Sequence, residues 1–233
     1  SRRNLGLGFT LFFVLLIVLT SGVVIPLQLL AQIQGFRMSE LAPIGLWVGL
    51  PQVFLRTVVA YLFYKSRVDE RALFSTVIGL IATACLLSSN VTSQWVVTQF
   101  MTIQTLHAIG QPIAVVCLLF LATSVVQPME GVYVAGIVNT LRALGTMFSG
   151  ALIGQILVWR NQFHFEDLLS HWNRAFTHET QIHSNLYWSQ LLSQQSYILS
   201  VEDVFIILGG AAFVMIPIVM GLKYIPAPKI QDG

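Results

Sequence analysis

Charged residues are scarce in this chain, and acidic residues are missing from its long apolar stretches. Only 9% of the 233 residues are charged, against 55% that are hydrophobic, and the mean hydropathy is +0.76. A water-soluble domain of this composition would expose apolar patches large enough to cause aggregation. The composition therefore predicts an integral membrane protein.

Net charge and cysteine are also low, and each deficit excludes a class of function. The twelve Lys and Arg residues leave a net charge of +2 and form no stripe that could follow a nucleic-acid backbone, so no nucleic-acid partner is predicted. Cys85 and Cys117 lie within apolar stretches, where a disulfide framework has no use. Hydrolysis in a membrane needs paired carboxylates, a metal site or an activated serine, and these patterns are absent there. We predict no enzyme activity, no catalytic or metal-binding residue and no cofactor.

Six apolar stretches are each long enough to cross a hydrocarbon core of about 30 Å. They cover roughly residues 5–30, 41–65, 72–90, 95–124, 133–158 and 204–224. We predict an all-α integral membrane fold, a single six-helix domain over residues 1–233, in which only the 159–203 connection is a long polar loop.

Lysine and arginine near the connections predict the orientation of the spans. If the six spans alternate, one side of the membrane holds Arg2, Arg3, Lys65, Arg67, Arg71, Lys223 and Lys229, and the other side holds Arg37, Arg160 and Arg174. Both termini are therefore predicted to be cytoplasmic, with the 159–203 loop facing outward. Apolar residues at helical spacing from Phe165 to Phe176 predict an amphipathic helix in that loop, resting on the bilayer surface or on a periplasmic partner.

Three basic side chains interrupt the apolar spans, while all ten carboxylates lie outside them: the basic residues are Arg56, His107 and Arg142. An arginine in the middle of a membrane helix costs about 2.5–3.5 kcal/mol on insertion scales, so such a residue faces a pathway or a partner. The complementary acids are therefore expected on another polypeptide segment. The chain, which opens Ser-Arg-Arg-Asn, is predicted to be an incomplete portion, half of a transporter.

Polar side chains at helical spacing mark one candidate face on the first span and one on the fourth. The first span contains Pro26, which frees a backbone carbonyl, so its outer half is predicted to bend toward an interior. The fourth contains Pro112, where we predict a helix break at mid-membrane. His107 is a candidate proton carrier because its ordinary pKa lies near physiological pH, and the alternative is a structural histidine. The predicted substrate or proton pathway comprises Gln28, Gln32, Gln104, His107 and Gln111.

The second and fifth spans each combine small residues with a cation on one face. Small residues permit close helix approach, and a cation on the same face is shielded from lipid, so both faces are predicted to pack on another helix. For Arg56 the alternative is snorkelling toward the headgroups. The predicted seam comprises Gln52 and Arg56 with Gly45 and Gly49, and Asn139 and Arg142 with Gly150 and Gly154.

Three segments together resemble the C-terminal half of a major facilitator superfamily drug/proton antiporter of the EmrB-type fourteen-span subfamily. They are Gln104-Thr-Leu-His-Ala-Ile-Gly-Gln-Pro112, Gln127-Pro-Met-Glu-Gly131 and Asn139-Thr-Leu-Arg-Ala-Leu-Gly145. The resemblance implies efflux of lipophilic or amphipathic drugs, coupled to proton antiport, across a bacterial inner membrane. It also implies that the first and fourth spans line a cavity and that the second and fifth pack on an N-terminal half of six or eight spans.

The same resemblance implies further partners and a gating turn. Arg67, Asp69 and Arg71 are similar to the weaker C-terminal copy of the cytoplasmic gating motif of the superfamily. A periplasmic adaptor and an outer-membrane channel are the implied partners in a tripartite pump. A different class of function is a self-contained six-span protein acting as a homodimer, which would bring like charges together at the seam.

Overall fold

The structure, a computed structural model, describes residues 2–65, 69–123, 126, 128–175 and 185–221, and these ranges are almost entirely helical. Two short 3-10 turns, Thr20–Gly22 and Pro128–Glu130, accompany the α-helices. The α-helices are α1 (Arg2–Leu19), α2 (Val24–Ile33), α3 (Met38–Lys65), α4 (Glu70–Ser88), α5 (Val97–Thr123), α6 (Gly131–Ala175) and α7 (Asn185–Met220).

Six spans in these ranges are long and apolar enough to cross a membrane, which confirms the predicted helical membrane protein. The first span is formed by α1, the 3-10 turn and α2 together, and α3 to α7 provide the second to sixth. The α-helix of the first span is interrupted at the 3-10 turn, where Val23 has φ −134° and ψ −51°, and we call this interruption the bend. Pro26 has no N–H to offer the carbonyl of Gly22, and Val23 donates its N–H to the Thr20 carbonyl instead of that of Leu19.

The break predicted near Pro112 is not present, because α5 continues through it from Val97 to Thr123. A single proline in a helix interior removes one backbone hydrogen bond, which a long packed helix tolerates. In the first span, Pro26 is preceded by Ser21 and Gly22. Two residues that favour helix kinks thus lie five and four residues before a proline that lacks a backbone N–H donor. The mid-membrane discontinuity therefore lies in the first span, not in the fourth.

The prediction of a long loop over 159–203 is wrong for the described residues. Helix α6 runs on to Ala175 and α7 begins at Asn185, because the amphipathic pattern after residue 158 continues the fifth span without a helix-breaking residue. At 45 residues, α6 is about 67 Å long, twice the thickness of a hydrocarbon core. Residues 176–184, which include Phe176 of the predicted amphipathic set, lie outside the described ranges.

The extended parts of α6 and α7 are joined by polar contacts. One carboxylate oxygen of Asp203 accepts hydrogen bonds from Arg160 Nε and His164 Nε2, each at 2.6 Å. Nearer the helix tips, the rings of Trp172 and Trp188 pack with centroids 4.4 Å apart. The apolar side of the predicted amphipathic helix was expected to rest on lipid or on a partner. At Trp172 it packs on the neighbouring helix α7.

The spans pack in two triplets that contact each other in matching ways. The first span packs against the fourth, fifth and sixth, and the fourth span packs against the first, second and third. The third and sixth spans also pack on each other. Exchanging spans one to three with spans four to six therefore preserves the contacts between the two triplets, but the fifth span also packs along the sixth, and the second and third have no comparable contact in the described residues.

Close helix approach occurs at glycines that the sequence pattern did not single out for it. A Cβ on Gly110 of α5 would lie 2.9 Å from Ile81 of α4, and a Cβ on Gly145 of α6 would lie 2.6 Å from Leu16 of α1. By contrast, the seam glycines have open space within 4 Å of the Cβ position: Gly45, Gly49, Gly150 and Gly154. Their predicted helix partners are not among the described residues.

The second and fifth spans are the least covered. Only 17% of the apolar window of α3 and 22% of that of α6 are buried, against 39% to 56% for the other four spans. Both helices border one open face of the bundle, with α5 and α1 packed between them and α4 and α7 behind. This open face is where any further helices would be accommodated.

Candidate functional site

A polar cluster surrounds the bend in the first span. At this bend, side chains donate hydrogen bonds to four backbone carbonyl groups. Thr20 Oγ1 donates to the Ile17 carbonyl at 2.6 Å, and Ser21 Oγ donates to the Val18 carbonyl at 2.6 Å. The remaining two hydrogen bonds come from α5: Gln111 Nε2 to the Leu19 carbonyl at 3.1 Å and Gln104 Nε2 to the Ser21 carbonyl at 3.4 Å. The fourth span thus holds the irregular backbone of the first.

Gln111 is the centre of this cluster. One N–H of its amide faces the Leu19 carbonyl and the other faces His107 Nδ1 at 3.3 Å. Its Oε1 accepts from Gln52 Nε2 of α3 at 3.1 Å. The side chain fits because Gly22 has no Cβ: a Cβ there would lie 2.2 Å from Gln111 Nε2. A single amide therefore joins three spans.

His107 is fully buried and its contacts assign a neutral ring. Because Gln111 donates to Nδ1, the ring proton is on Nε2, from which it reaches Ser21 Oγ at 3.4 Å. A second ring proton on Nδ1 would face the amide N–H of Gln111. Turning that amide over would break its hydrogen bonds to Leu19 and Gln52. The geometry therefore favours the structural interpretation of His107.

If the protein is a transporter, we expect His107→Gln to leave the pH profile of its activity unchanged in shape, because the ring needs no proton for its contacts. The activity would be measured between about pH 6 and 8. The same substitution at the exposed His171 provides a matched control. A pH optimum that moves in the His107 variant and not in the His171 variant would instead assign His107 to proton coupling.

A chain of side chains connects the buried cluster to the open face. Arg56 Nη2 donates to Gln52 Oε1 at 2.6 Å, and Gln52 Nε2 donates to Gln111 Oε1. Arg56 is exposed, Gln52 is half-buried and Gln111 is buried, so the chain runs from the surface of α3 to the bend. These contacts hold the guanidinium in the membrane interior and argue against snorkelling to the headgroups.

The predicted pathway residues do not all meet. Gln104, His107 and Gln111 are brought together, but they are buried against the first span and line no open cavity. Gln28 and Gln32 lie exposed on α2, beyond the bend. In a straight helix, Ser21, Gln28 and Gln32 would lie on one face. The bend changes the helical register, so Ser21 is buried while the two glutamines are exposed.

The predicted seam residues lie on α3 and α6, the two least covered spans. Asn139 and Arg142 are exposed on α6, and Arg56 is exposed on α3 with Gln52 half-buried beside it. Among the described residues, neither arginine forms an ion pair with a carboxylate. Gln52 was predicted at the seam without its hydrogen bond to Gln111, since nothing in the spacing of α3 indicates which residue of α5 it meets.

The predicted gating turn is described in part. Arg67 lies outside the described residues. Asp69 caps α4 by accepting from the Arg71 N–H at 3.0 Å and pairs with the Arg71 guanidinium at 3.1 Å. Hydrogen bonds from the Arg71 side chain hold the pKa of Asp69 below its usual range. The described part of this turn therefore forms the N-terminal cap of α4.

One acid lies deeper than the sequence analysis placed it. Glu70 forms the first residue of α4 and is only 3% exposed. The prediction that every carboxylate lies outside the spans is wrong by the bounds of the structure, in which the spans also contain Glu40, Glu166, Asp167, Glu202 and Asp203. The helix begins two residues earlier than the apolar stretch because Asp69 provides its N-cap. That capping signal, Asp-Glu-Arg before an apolar run, could have revealed it.

No protein-family model matches this chain, and no curated protein matches it. The resemblance to drug/proton antiporters therefore remains a prediction based on residues 104–112, 127–131 and 139–145. Two features of the structure bear on function: the polar cluster at the bend, and the open face with its two arginines.

Proposed function

We propose that this chain is one half of a secondary transporter that exports lipophilic or amphipathic compounds in exchange for protons. In this proposal the chain is the C-terminal half of a major facilitator superfamily drug antiporter of the EmrB type, in a bacterial inner membrane with both ends cytoplasmic. The N-terminal half is its partner, and a periplasmic adaptor with an outer-membrane channel completes the export route.

The observation that carries the proposal is the bent first span held by amides of the fourth. Secondary transporters bind their substrates near the middle of the membrane, at discontinuous helices whose irregular backbone is buried in protein. Here the bend at Thr20–Gly22 is held by Gln104 and Gln111, between the first spans of the two triplets. A purely structural bundle has no need for this discontinuity.

The contact pattern of the two triplets supports the superfamily part of the proposal. Each half of a major facilitator transporter consists of two three-span repeats of opposite orientation. The contacts between spans one to three and spans four to six, which match when the two triplets are exchanged, are expected of such a half, although the packing of the fifth span on the sixth is not matched by the second and third.

The open face supports the presence of a partner half. Two arginines within the membrane, Arg56 and Arg142, lie on it without a carboxylate among the described residues. A homodimer across the same face would bring four arginines together and add to their repulsion. A partner half that differs in sequence can supply acids both for these arginines and for proton coupling.

Everted membrane vesicles containing the full-length protein test the proposal. With a respiration-driven pH gradient, addition of a lipophilic drug should release protons from protein-containing vesicles and not from vesicles without the protein. The mass of the native polypeptide separates the two architectures. An antibody against residues 185–203 should detect a chain about twice the 25.9 kDa of this one if both halves are fused. Detection at 25.9 kDa, with no drug-dependent proton release, would contradict the proposal.

A further inference from the structure

An apolar cavity lies between the first, fifth and sixth spans. It measures about 170 Å³ and is lined by ten residues of α1, α6 and α7, all of them Val, Ile, Leu or Ala. Its α1 residues, Val14, Ile17 and Val18, lie roughly 12–18 Å along the first span from Gly6. The cavity is therefore near the middle of a hydrocarbon core about 30 Å thick.

The bend in the first span accounts for this cavity. Val18 lies two residues before the 3-10 turn, which begins at Thr20. Before the turn, α1 packs on α5, α6 and α7, whereas after it the main contacts of α2 are with α3 and α7. The first span thus moves away from α6 at this depth, and the neighbouring side chains leave a space between the three helices.

The lining of the cavity selects hydrocarbon. A buried water needs two to four polar partners, and a drug-sized ligand needs a few polar groups that fix its orientation, but no side chain around this cavity is polar. Dry apolar cavities of about 150 Å³ admit benzene, so this one has room for roughly six carbon atoms. A short length of hydrocarbon chain fits both the lining and the volume.

One wall of the cavity reaches the outer surface of the bundle. Ile207 of α7 lines the cavity and is 46% exposed, whereas Val18, Ile153 and Leu208 deeper in it are 0%, 3% and 3% exposed. Because α7 lies behind the open face, the surface around Ile207 meets lipid and not a partner half. At this depth of a bilayer, the molecules in contact with that surface are acyl chains.

We propose that the cavity binds the end of one acyl chain of a membrane phospholipid. The chain enters past Ile207 and contacts Val18, Ile153 and Leu208. It supplies the dispersion contacts that these side chains would lack around an empty cavity, and it supports α1 directly before the bend. This lipid site goes beyond the proposed transport function and does not depend on it.

A photoreactive lipid tests the site on the full-length protein in phosphatidylcholine nanodiscs. The probe is phosphatidylcholine with a diazirine near the end of one acyl chain, and mass spectrometry identifies the labelled residues. Labels on Val18, Ile153 and Leu208 report a chain inside the cavity, because bulk lipid does not reach these buried side chains. Val214 of α7, which is 61% exposed and does not line the cavity, is the reference for bulk lipid.

Ala211→Phe should remove the site, because Ala211 lines the cavity and the added ring takes the space of one benzene molecule. We expect the labels on the three buried residues to fall roughly tenfold, since a ring of this size fills a cavity of about 150 Å³. The label on Val214 should not change. Ala211→Leu fills less of the space and should give an intermediate loss.

Ile206→Phe is the matched control. It places the same ring on α7 at a position that is 51% exposed and does not line the cavity, so all labels should stay as in the unsubstituted protein. Thermal unfolding verifies that each variant is folded. Labels on Val214 without labels on Val18, Ile153 and Leu208 would overturn the inference, and so would unchanged labelling of these residues in both Ala211 variants.

A lipophilic exported compound is the competing occupant of the cavity. Excess tetraphenylphosphonium should leave the labels on the buried residues unchanged if the cavity holds a lipid chain. If it removes them and spares the label on Val214, the cavity belongs to the export route and the lipid assignment is overturned. Drug-dependent proton release by the vesicles is measured separately, so the transport function and the lipid site can fail independently.

Discussion

Gly22→Ala should destabilise the protein by about 1–3 kcal/mol, because the added methyl group occupies the place of the Gln111 amide. The new Cβ would lie 2.2 Å from Gln111 Nε2 and 3.2 Å from the His107 ring. The glutamine side chain is flexible, but moving it breaks its hydrogen bonds to Leu19 and Gln52. Thermal unfolding of the purified protein measures the effect.

Gly79→Ala is the control for this substitution. Gly79 lies within α4, and nothing lies within 4 Å of the position of its Cβ, so alanine there should be neutral or slightly stabilising. The Gln111→Ala background gives a sharper test. If the clash with Gln111 is the cause, Gly22→Ala should destabilise that background much less than the unsubstituted protein. Full additivity of the two substitutions would contradict the explanation.

Gln111→Leu should be the most damaging single change at the bend. It removes three hydrogen bonds: one to the Leu19 carbonyl, one to His107 and one from Gln52. Hydrogen bonds between membrane helices average about 0.6 kcal/mol and buried ones in general about 0.5–1.5 kcal/mol, so we expect a loss of roughly 2–4 kcal/mol. The temperature of unfolding in detergent provides the measurement.

Gln32→Leu is the matched control for stability, because Gln32 is an exposed glutamine of the first span with no hydrogen-bond partner among the described residues. It should leave the unfolding temperature unchanged. If Gln111→Leu is equally harmless, the hydrogen bonds around the bend do not hold the first span in place. The proposed transport function would then lose the observation that carries it.

The sequence located most of the polar residues that matter but not their partners. Gln104, His107 and Gln111 share one face of a regular helix, so their common direction follows from spacing alone. That they meet the first span at Ser21 and Leu19 depends on how two helices are rotated and shifted against each other. Gln52 and Gln111 are separated by 59 residues and Gln111 and Leu19 by 92, distances over which periodicity carries no information.

Two errors of the sequence analysis have the same origin. Pro112 was expected to break the fourth span, yet proline marks only a missing donor, and packing decides whether the helix bends. The 159–203 segment was expected to be a loop because it is polar, yet α6 and α7 extend into it and pair through Arg160, His164 and Asp203. Polarity indicates contact with water, and it does not distinguish an exposed helix from a loop.

The sequence by itself determined that this is a helical membrane protein with six spans and that basic residues, not acids, lie deep in the second and fifth. These properties follow from length and hydropathy, which are local, and from the scarcity of charge in lipid. Only the tertiary structure decided that the first span bends while the fourth stays continuous, and that one glutamine joins three spans. Each of these depends on the relative depth and rotation of helices distant in sequence, which packing alone fixes.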